Sequence, residues 1–223
     1  IDTDANTCTS LLVNQYLNGR YARWAVAAAF GDNMTASAIT LAQNIGLSEA
    51  EQSSLKALGV YINYNGYGQK IEDLHFHPAA LFQQLVAYEN PLDLIGEQDS
   101  VFHALAKAYQ QDMQQANQAE VLIENDQIKV VLLPDKAWAR RVSGVFGNEL
   151  ANQSPDKAHA VVTYNDKGSF TVSVRAPLNN KQGAGELCAD FPTGGGRAAA
   201  AGVNALPEEM LGDFFASVAK YYS

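Results

Sequence analysis

Two short stretches carry the residue types of an anion site. In TGGGRAAAAG (193–202) three glycines precede Arg197. With no Cβ at Gly194, Gly195 and Gly196, successive backbone N–H groups can converge on an anion, and a ligand can come close to the main chain. Arg197 adds a charge-assisted grip that can be bidentate toward phosphate. The same run would also serve as a flexible turn before a strand or helix of small residues. Upstream, SFTVSVRA (169–176) alternates Phe170, Val172 and Val174 with Thr171, Ser173 and Arg175. One face of that strand is apolar, and the other is polar and ends in arginine. Arg175 on its own reads equally as a structural surface residue. Two arginines, a hydroxyl and a glycine run within one small domain point together to a pocket for phosphate.

The elements that must position these residues change character along the chain. Up to about residue 118 the pattern is helical. TCTSLLVNQYL opens with hydroxyl capping chemistry, RYARWAVAAAF stops at Gly31, and NMTASAITLAQNIG starts from Asn33 as cap and stops at Gly46. SEAEQSSLKALGVYI begins with Ser48 as cap and an acidic first turn. A long amphipathic helix over Ser100–Gln118 places Phe102, Leu105, Tyr109 and Met113 on one face. From Ala119 the period shortens: EVLIENDQIKVVLLP predicts two strands around a Glu124–Gln127 turn, closed by Pro134. WARRVSGVFGNELA predicts a helix with Arg140 and Arg141 on its solvated side, and HAVVTYNDKGSFTVSVRAP a hairpin turning at Asn165–Gly168. PEEMLGDFFASVAKYYS predicts a closing helix with proline and two glutamates in its first turn. The chain therefore reads as α/β of the α+β kind, with a helical part over 1–118 and a smaller mixed-sheet domain flanked by helices over 119–223.

The 223 residues are enough for one or two cores, and 47 % are apolar against 17 % charged, as in a globular protein. The net charge is −9, with the larger share of the excess acid in the helical part. An acidic chain is a poor bulk binder of polyanions, so any phosphate must be held locally by a few cations and backbone donors. No apolar run approaches the ~18 residues of a membrane span. No basic-then-apolar leader opens the chain. Its first residue is Ile, which reads as a chain processed or excised from a longer one. Cys8 and Cys188 lack metal-ligand spacing and read as free thiols in a reducing cytoplasm.

GGGRAAAAG (194–202) resembles the GGGHxxAAG motif of the DHH-associated domain, and VSVRA (172–176) resembles the serine–arginine strand motif of the same domain. That domain is the substrate-gripping C-terminal half of DHH phosphoesterases, which include RecJ-like exonucleases, nano-RNases, cyclic-dinucleotide phosphodiesterases and exopolyphosphatase-like proteins. The resemblance covers 119–223 and implies substrate binding by Ser173, Arg175, Gly194, Gly195, Gly196 and Arg197. Arg197 stands where the motif has histidine. Arginine cannot shuttle protons, so this position is expected to grip phosphate and not to assist a leaving group.

WAVAAAFGDNM (24–34) looks like the segment bearing the last metal-binding aspartate of a DHH catalytic domain, which makes Asp32 a candidate ligand for manganese or magnesium. A carboxylate just after a helix, beside Gly31 and Asn33, is free to point at a metal; it would also serve as an ordinary helix-terminal Asp. DTDANTCTSLLV looks like the helix after the DHH triplet, and the family's earlier metal-binding segments are not in the sequence. A two-metal hydrolase needs several ligands around ions ~3.5–4 Å apart. The resemblance thus implies the C-terminal portion of a phosphoesterase whose parent uses manganese or magnesium. This chain alone is expected neither to hold the metal firmly nor to hydrolyse. The implied partners are a phosphorylated small molecule, a nucleotide or a short single-stranded nucleic acid, in the cytoplasm, with an oligomer possible and no membrane. The alternative is a nucleotide- or nucleic-acid-binding module that never hydrolyses.

Other candidates carry less. His75 and His77 in LHFHP have no third or fourth ligand at metal spacing and read as structural or interdomain residues. His103 and His159 read as incidental. Ser143 and Ser173 have no histidine–carboxylate pattern around them that would make a nucleophile.

Overall fold

The computed structural model describes residues 7–165 and 168–222. Asp166 and Lys167 of the expected hairpin turn, and the first residues of DTDANTCTSLLV, lie outside them. The chain divides into two compact units, one ending at Gln111 and the other beginning at Asp112.

The first unit is helical: α1 (Thr9–Tyr16), α2 (Ala22–Gly31), α3 (Thr35–Asn44), α4 (Glu49–Tyr64), α5 (Pro78–Leu85), α6 (Pro91–Gly96) and the start of α7 (Val101–Ala116). Its core gathers Val26, Phe30, Leu55, Leu58, Leu94 and Leu105. α2 and α4 meet backbone to backbone. A Cβ at Gly59 would fall 1.9 Å from the Ala27 carbonyl oxygen, and one at Gly31 would fall 2.6 Å from that of Gly59. Only glycine permits such an approach.

α4 starts as its sequence predicts. The Ser48 hydroxyl accepts from the Glu51 amide at 3.3 Å, and the Ser48 amide donates back to Glu51 Oε2 at 2.8 Å. Those bonds hold the Glu51 carboxyl below its usual range. The start of α3 differs from expectation. Asn33 sits at φ 60°, a left-handed turn that asparagine tolerates, and Met34 takes the capping position without a side-chain bond. Turning the chain out of α2 removed Asn33 from the place where its side chain could cap. His77 caps α5, its Nδ1 accepting from the Ala79 amide at 3.2 Å, while His75 Nε2 bonds the hydroxyl of buried Tyr64 at 2.8 Å.

The second unit is a six-stranded mixed sheet in the order β1 (Glu120–Glu124), β2 (Ile128–Leu133), β3 (Ala158–Tyr164), β4 (Ser169–Arg175), β6 (Ala200–Pro207), β5 (Gly194–Gly196). β2 and β3 are parallel and every other pair is antiparallel. The parallel pair is joined through α8 (Ala137–Gln153), as such pairs require a crossover. α9 (Ala184–Ala189) follows β4, and α10 (Leu211–Tyr221) closes the chain. One sheet face carries Val130, Val162, Val172, Val174 and Val203, packed with Leu187, Phe214 and Val218 from α9 and α10. The closing helix begins later than its sequence suggests, because β6 runs to Pro207 and Glu208–Met210 form a separate 3-10 turn.

α8 lies against β3 and β4. Arg140 and Arg141 are not solvated as expected. Arg140 pairs with Asp135, and buried Arg141 donates from Nε to Asp112 Oδ2 at 2.7 Å. The helix face that the apolar spacing leaves polar is covered here, and each guanidinium has met a carboxylate.

Candidate functional site: a polar sheet face ending in two arginines

Strand register brings the candidate residues of the second unit together. Ser173 pairs with Gly202, which pairs with Gly195. Arg175 pairs with Ala200, whose amide and carbonyl exchange bonds with those of Arg197 at 3.2 and 2.9 Å. Residues in register share a sheet face. Ser173, Gly202 and Gly195 therefore form one row and Arg175, Ala200 and Arg197 the next, on the face opposite the apolar core. The two arginine Cα atoms are two strand spacings apart, roughly 10 Å, within reach of side chains that lean together.

The glycine run is an edge strand and not an open loop. Because Arg197 and Ala200 exchange both bonds, the antiparallel alternation makes Gly195 and Gly202 the next exchanging pair. The Gly195 amide is thus spent on the ladder. The glycines serve close packing instead. A Cβ at Gly194 would lie 1.8 Å from the Cys188 carbonyl oxygen at the end of α9, and one at Gly196 would lie 2.5 Å from Ala201 Cα. From the helix side, a Cβ at Gly185 would lie 2.9 Å from the Gly196 carbonyl oxygen. Gly195 alone has nothing within 4 Å of that position and is exposed. The open space of the motif is above Gly195.

Arg197 is exposed, but its backbone is fixed. The hairpin tip beside it is tied on two sides: Ala198 accepts from the Ala184 amide at 2.9 Å and Ala199 from the Ala176 amide at 3.0 Å. Arg175 is half-buried and held. Its Nε donates to Asn148 Oδ1 at 2.6 Å, one terminal nitrogen to Ser173 Oγ at 2.9 Å and the Val174 carbonyl at 3.0 Å, and the other to the Gly144 carbonyl at 3.3 Å. Chemically this is a shallow floor of small residues with a hydroxyl and a guanidinium on one side and a second guanidinium at its tip. It suits an anion that lies along the sheet surface. Gly144 and Asn148 were not anticipated from sequence. They come from a helix that only the crossover between β2 and β3 carries onto this face.

His159 is in the same cross-sheet row, between Lys129 and Arg175. It is 2 % exposed, and neither ring nitrogen has a hydrogen-bond partner. Burial, with the nearby Lys129 charge adding to it, depresses its pKa to about 4, against an opposing pull from the Lys157 backbone. This imidazole is neutral near pH 7. Cys188 is buried, and burial raises its thiol to about 11, which leaves it unreactive.

Asp32 is in the first unit, as the residue that ends α2, and it is exposed. It borders a cavity of about 960 Å³ whose walls include Leu17, Trp24, Phe82 and Val86, with Ser10, Asn14, Asn63 and Glu89 among its polar residues. Asp32 can give one hard oxygen ligand. Among the described residues no cluster of three or more His, Cys, Asp and Glu could complete a metal site.

No family model matches the sequence, and no curated protein matches it. Solved structures do match. The DHH domain of a member of the s1p family of ribosomal proteins superposes with a TM-score of 0.53 at 12 % identity, over 89 % of this chain and 49 % of that one. Exonuclease RecJ bound to manganese gives 0.53 at 17 % identity, over 94 % and 57 %. The pGpG-specific phosphodiesterase PggH of Vibrio cholerae gives 0.51 at 11 % identity, over 82 % and 72 %. The fold is therefore that of DHH-domain proteins. The chain spans about half the length of the first of these, little more of RecJ, and 72 % of PggH.

Proposed function

We propose that this chain is the C-terminal portion of a DHH-type phosphoesterase, and that its second unit binds the phosphate or nucleotide part of a phosphodiester or phosphoanhydride substrate. The observation that carries this reading is the shared face of Ser173, Arg175, Gly195 and Arg197, set by the registers of β4, β6 and β5. Two guanidiniums and a hydroxyl border a floor of glycine and alanine, so a phosphate can approach the sheet surface closely. The exonuclease and phosphodiesterase among the fold neighbours support the same class of substrate. Manganese or magnesium belongs to the parent enzyme in this reading, with Asp32 as one ligand. Such an ion polarises the phosphoryl oxygen and activates water. The chain's own residues bind and orient; Arg197 contributes charge and no proton transfer. Among the described residues no helix is long and apolar enough to cross a membrane. The free thiols of Cys8 and Cys188 support a place in the reducing cytoplasm.

Titration calorimetry with pyrophosphate, a mononucleotide and a short single-stranded oligonucleotide tests the seat. Arg197→Ala is expected to weaken binding roughly tenfold, the loss of one charge-assisted contact. Unchanged affinity would overturn the assignment. The chain supplied with manganese is expected to give no phosphodiester turnover, and robust turnover would contradict its reading as a partial enzyme.

A further inference from the structure

The polar face of the sheet extends past Ser173 and Gly202. The next residue of β4 on that face is Thr171, and β6 opposes it with two residues instead of one. Val172 pairs with Val203 and Phe170 with Leu206, so Asn204 and Ala205 lie between the two pairs as a β-bulge. Val203 and Leu206 are both buried in the core, which leaves the two residues between them on the polar face with Thr171. Two threonine hydroxyls hold this bulge. Thr171 Oγ1 donates to the Asn204 carbonyl at 3.1 Å, and Thr193 Oγ1 accepts from the Ala205 amide at 2.8 Å. The Asn204 backbone amide donates to the Thr193 carbonyl at 3.4 Å. Thr193 does this from φ 61°, a left-handed conformation that a β-branched residue rarely takes. Glycine would take it without strain but would bring no hydroxyl for Ala205. The main chain of Asn204 is thus fixed from two sides. Its side-chain amide enters none of these bonds, and the residue is exposed.

Asn204 lies four residues beyond Ala200 along β6, roughly 13 Å from the arginine row, with Gly202 and Gly195 in the row between. The two ends of the face differ in chemistry. One has guanidiniums; the other has a neutral amide that offers a donor and an acceptor side by side. Nucleobase edges do the same, which is how asparagine bonds adenine through two atoms at once. Pyrophosphate is too short to bridge the two ends, and a nucleotide is not. We propose that Asn204 is a specificity-determining residue of this face: it hydrogen-bonds the base of a nucleotide whose phosphate lies at the arginine end. The preferred ligand is then a nucleotide and not an inorganic polyphosphate. This rests on the reading of Ser173, Arg175 and Arg197 as the phosphate seat.

The test measures affinity of the whole chain for AMP, GMP, CMP and UMP, for ribose 5-phosphate and for pyrophosphate, together with thermal unfolding. Asn204→Ala and Arg197→Ala are compared with the unaltered chain. At least one mononucleotide should bind the unaltered chain more tightly than ribose 5-phosphate does. Asn204→Ala should weaken that mononucleotide about three- to tenfold, the loss of a neutral hydrogen-bonded contact. Its affinity for ribose 5-phosphate and pyrophosphate should stay at the parent's level. Its melting temperature should also match the parent's, because the side chain makes none of the bonds that hold the bulge. Arg197→Ala, in contrast, should weaken all the phosphorylated ligands together.

Parent-like mononucleotide affinity in Asn204→Ala, with Arg197→Ala weakened, would overturn the role of Asn204 and leave the seat standing. An equal loss toward ribose 5-phosphate, or no preference for any mononucleotide over it, would overturn the base contact in the same way. If Arg197→Ala leaves pyrophosphate binding unchanged, the seat itself fails and the inference with it. Should Asn204→Ala lower the melting temperature, Asn204→Leu keeps the bulk, removes both hydrogen-bonding groups and carries the test on the same criteria.

Discussion

Glycine is used twice for close approach, once in each unit, and to different ends. Where α2 crosses α4, Gly31 and Gly59 are met by backbone from the partner helix, and the space is filled. Along β5 the contacts alternate. Gly194 and Gly196 are packed against Cys188 and Ala201, whereas Gly195 between them opens onto the polar face. A strand sends successive residues to opposite faces, so one glycine run can serve packing on one side and access on the other. A helix crossing has no such second face. The GGG run clears space on an edge strand while its central amide is already committed to the ladder, and under the proposed function that cleared space is where the anion would lie.

The sharpest way to break this comparison is Gly59→Ala. Its new methyl would overlap the Ala27 carbonyl at 1.9 Å, so α2 and α4 must separate, and the first unit should lose about 3 kcal/mol or more in denaturant unfolding. Gly194→Ala meets the Cys188 carbonyl at 1.8 Å and should cost the second unit a comparable amount. Gly195→Ala separates access from packing: stability should change by less than about 0.5 kcal/mol, while pyrophosphate affinity falls because the methyl stands on the open floor. A large stability loss at Gly195, or none at Gly194, would contradict the alternation.

Acid should separate the units as well. His159 has a folded pKa of about 4 against an ordinary 6.5, so the unfolded chain binds the extra proton between those values. The neutral imidazole's contribution is complete above about pH 6.5 and is lost as the pH falls toward 4. The second unit should lose on the order of 3 kcal/mol over that window relative to a His159→Leu variant, measured by unfolding at each pH. Parallel pH profiles of the two proteins would contradict the buried, neutral state. The smallest effect expected is at the capping box, where Ser48→Ala should destabilise the first unit by about 1 kcal/mol and leave anion binding untouched.

What could be read in advance follows from the range of the interactions. Ser48 and Glu51 act three residues apart, and the alternation through Phe170, Val172 and Val174 declares both strand faces, so α4 and β4 were legible. Nothing within a few residues of Arg141 names Asp112, 29 residues away, and its burial was missed. β5 and β6 were hidden because glycine and alanine offer neither β-branching nor an apolar–polar contrast; their strand character comes from β6 pairing with β4, β5 pairing with β6, and packing against α9. Ser173, Arg175 and Arg197 were visible as residue types, and their common face emerged only from register. Asn148 gave no signal, since only the crossover helix brings it to Arg175.

Amide and side-chain NMR shifts during a pyrophosphate titration test the central claim most directly. Saturable shifts are predicted at Ser173, Gly195, Arg197 and Gly202 and at the Arg175 Nε–H, with little change around Asp32 in the first unit. Shifts confined to the first unit, or absent from both arginines at saturation, would contradict the account.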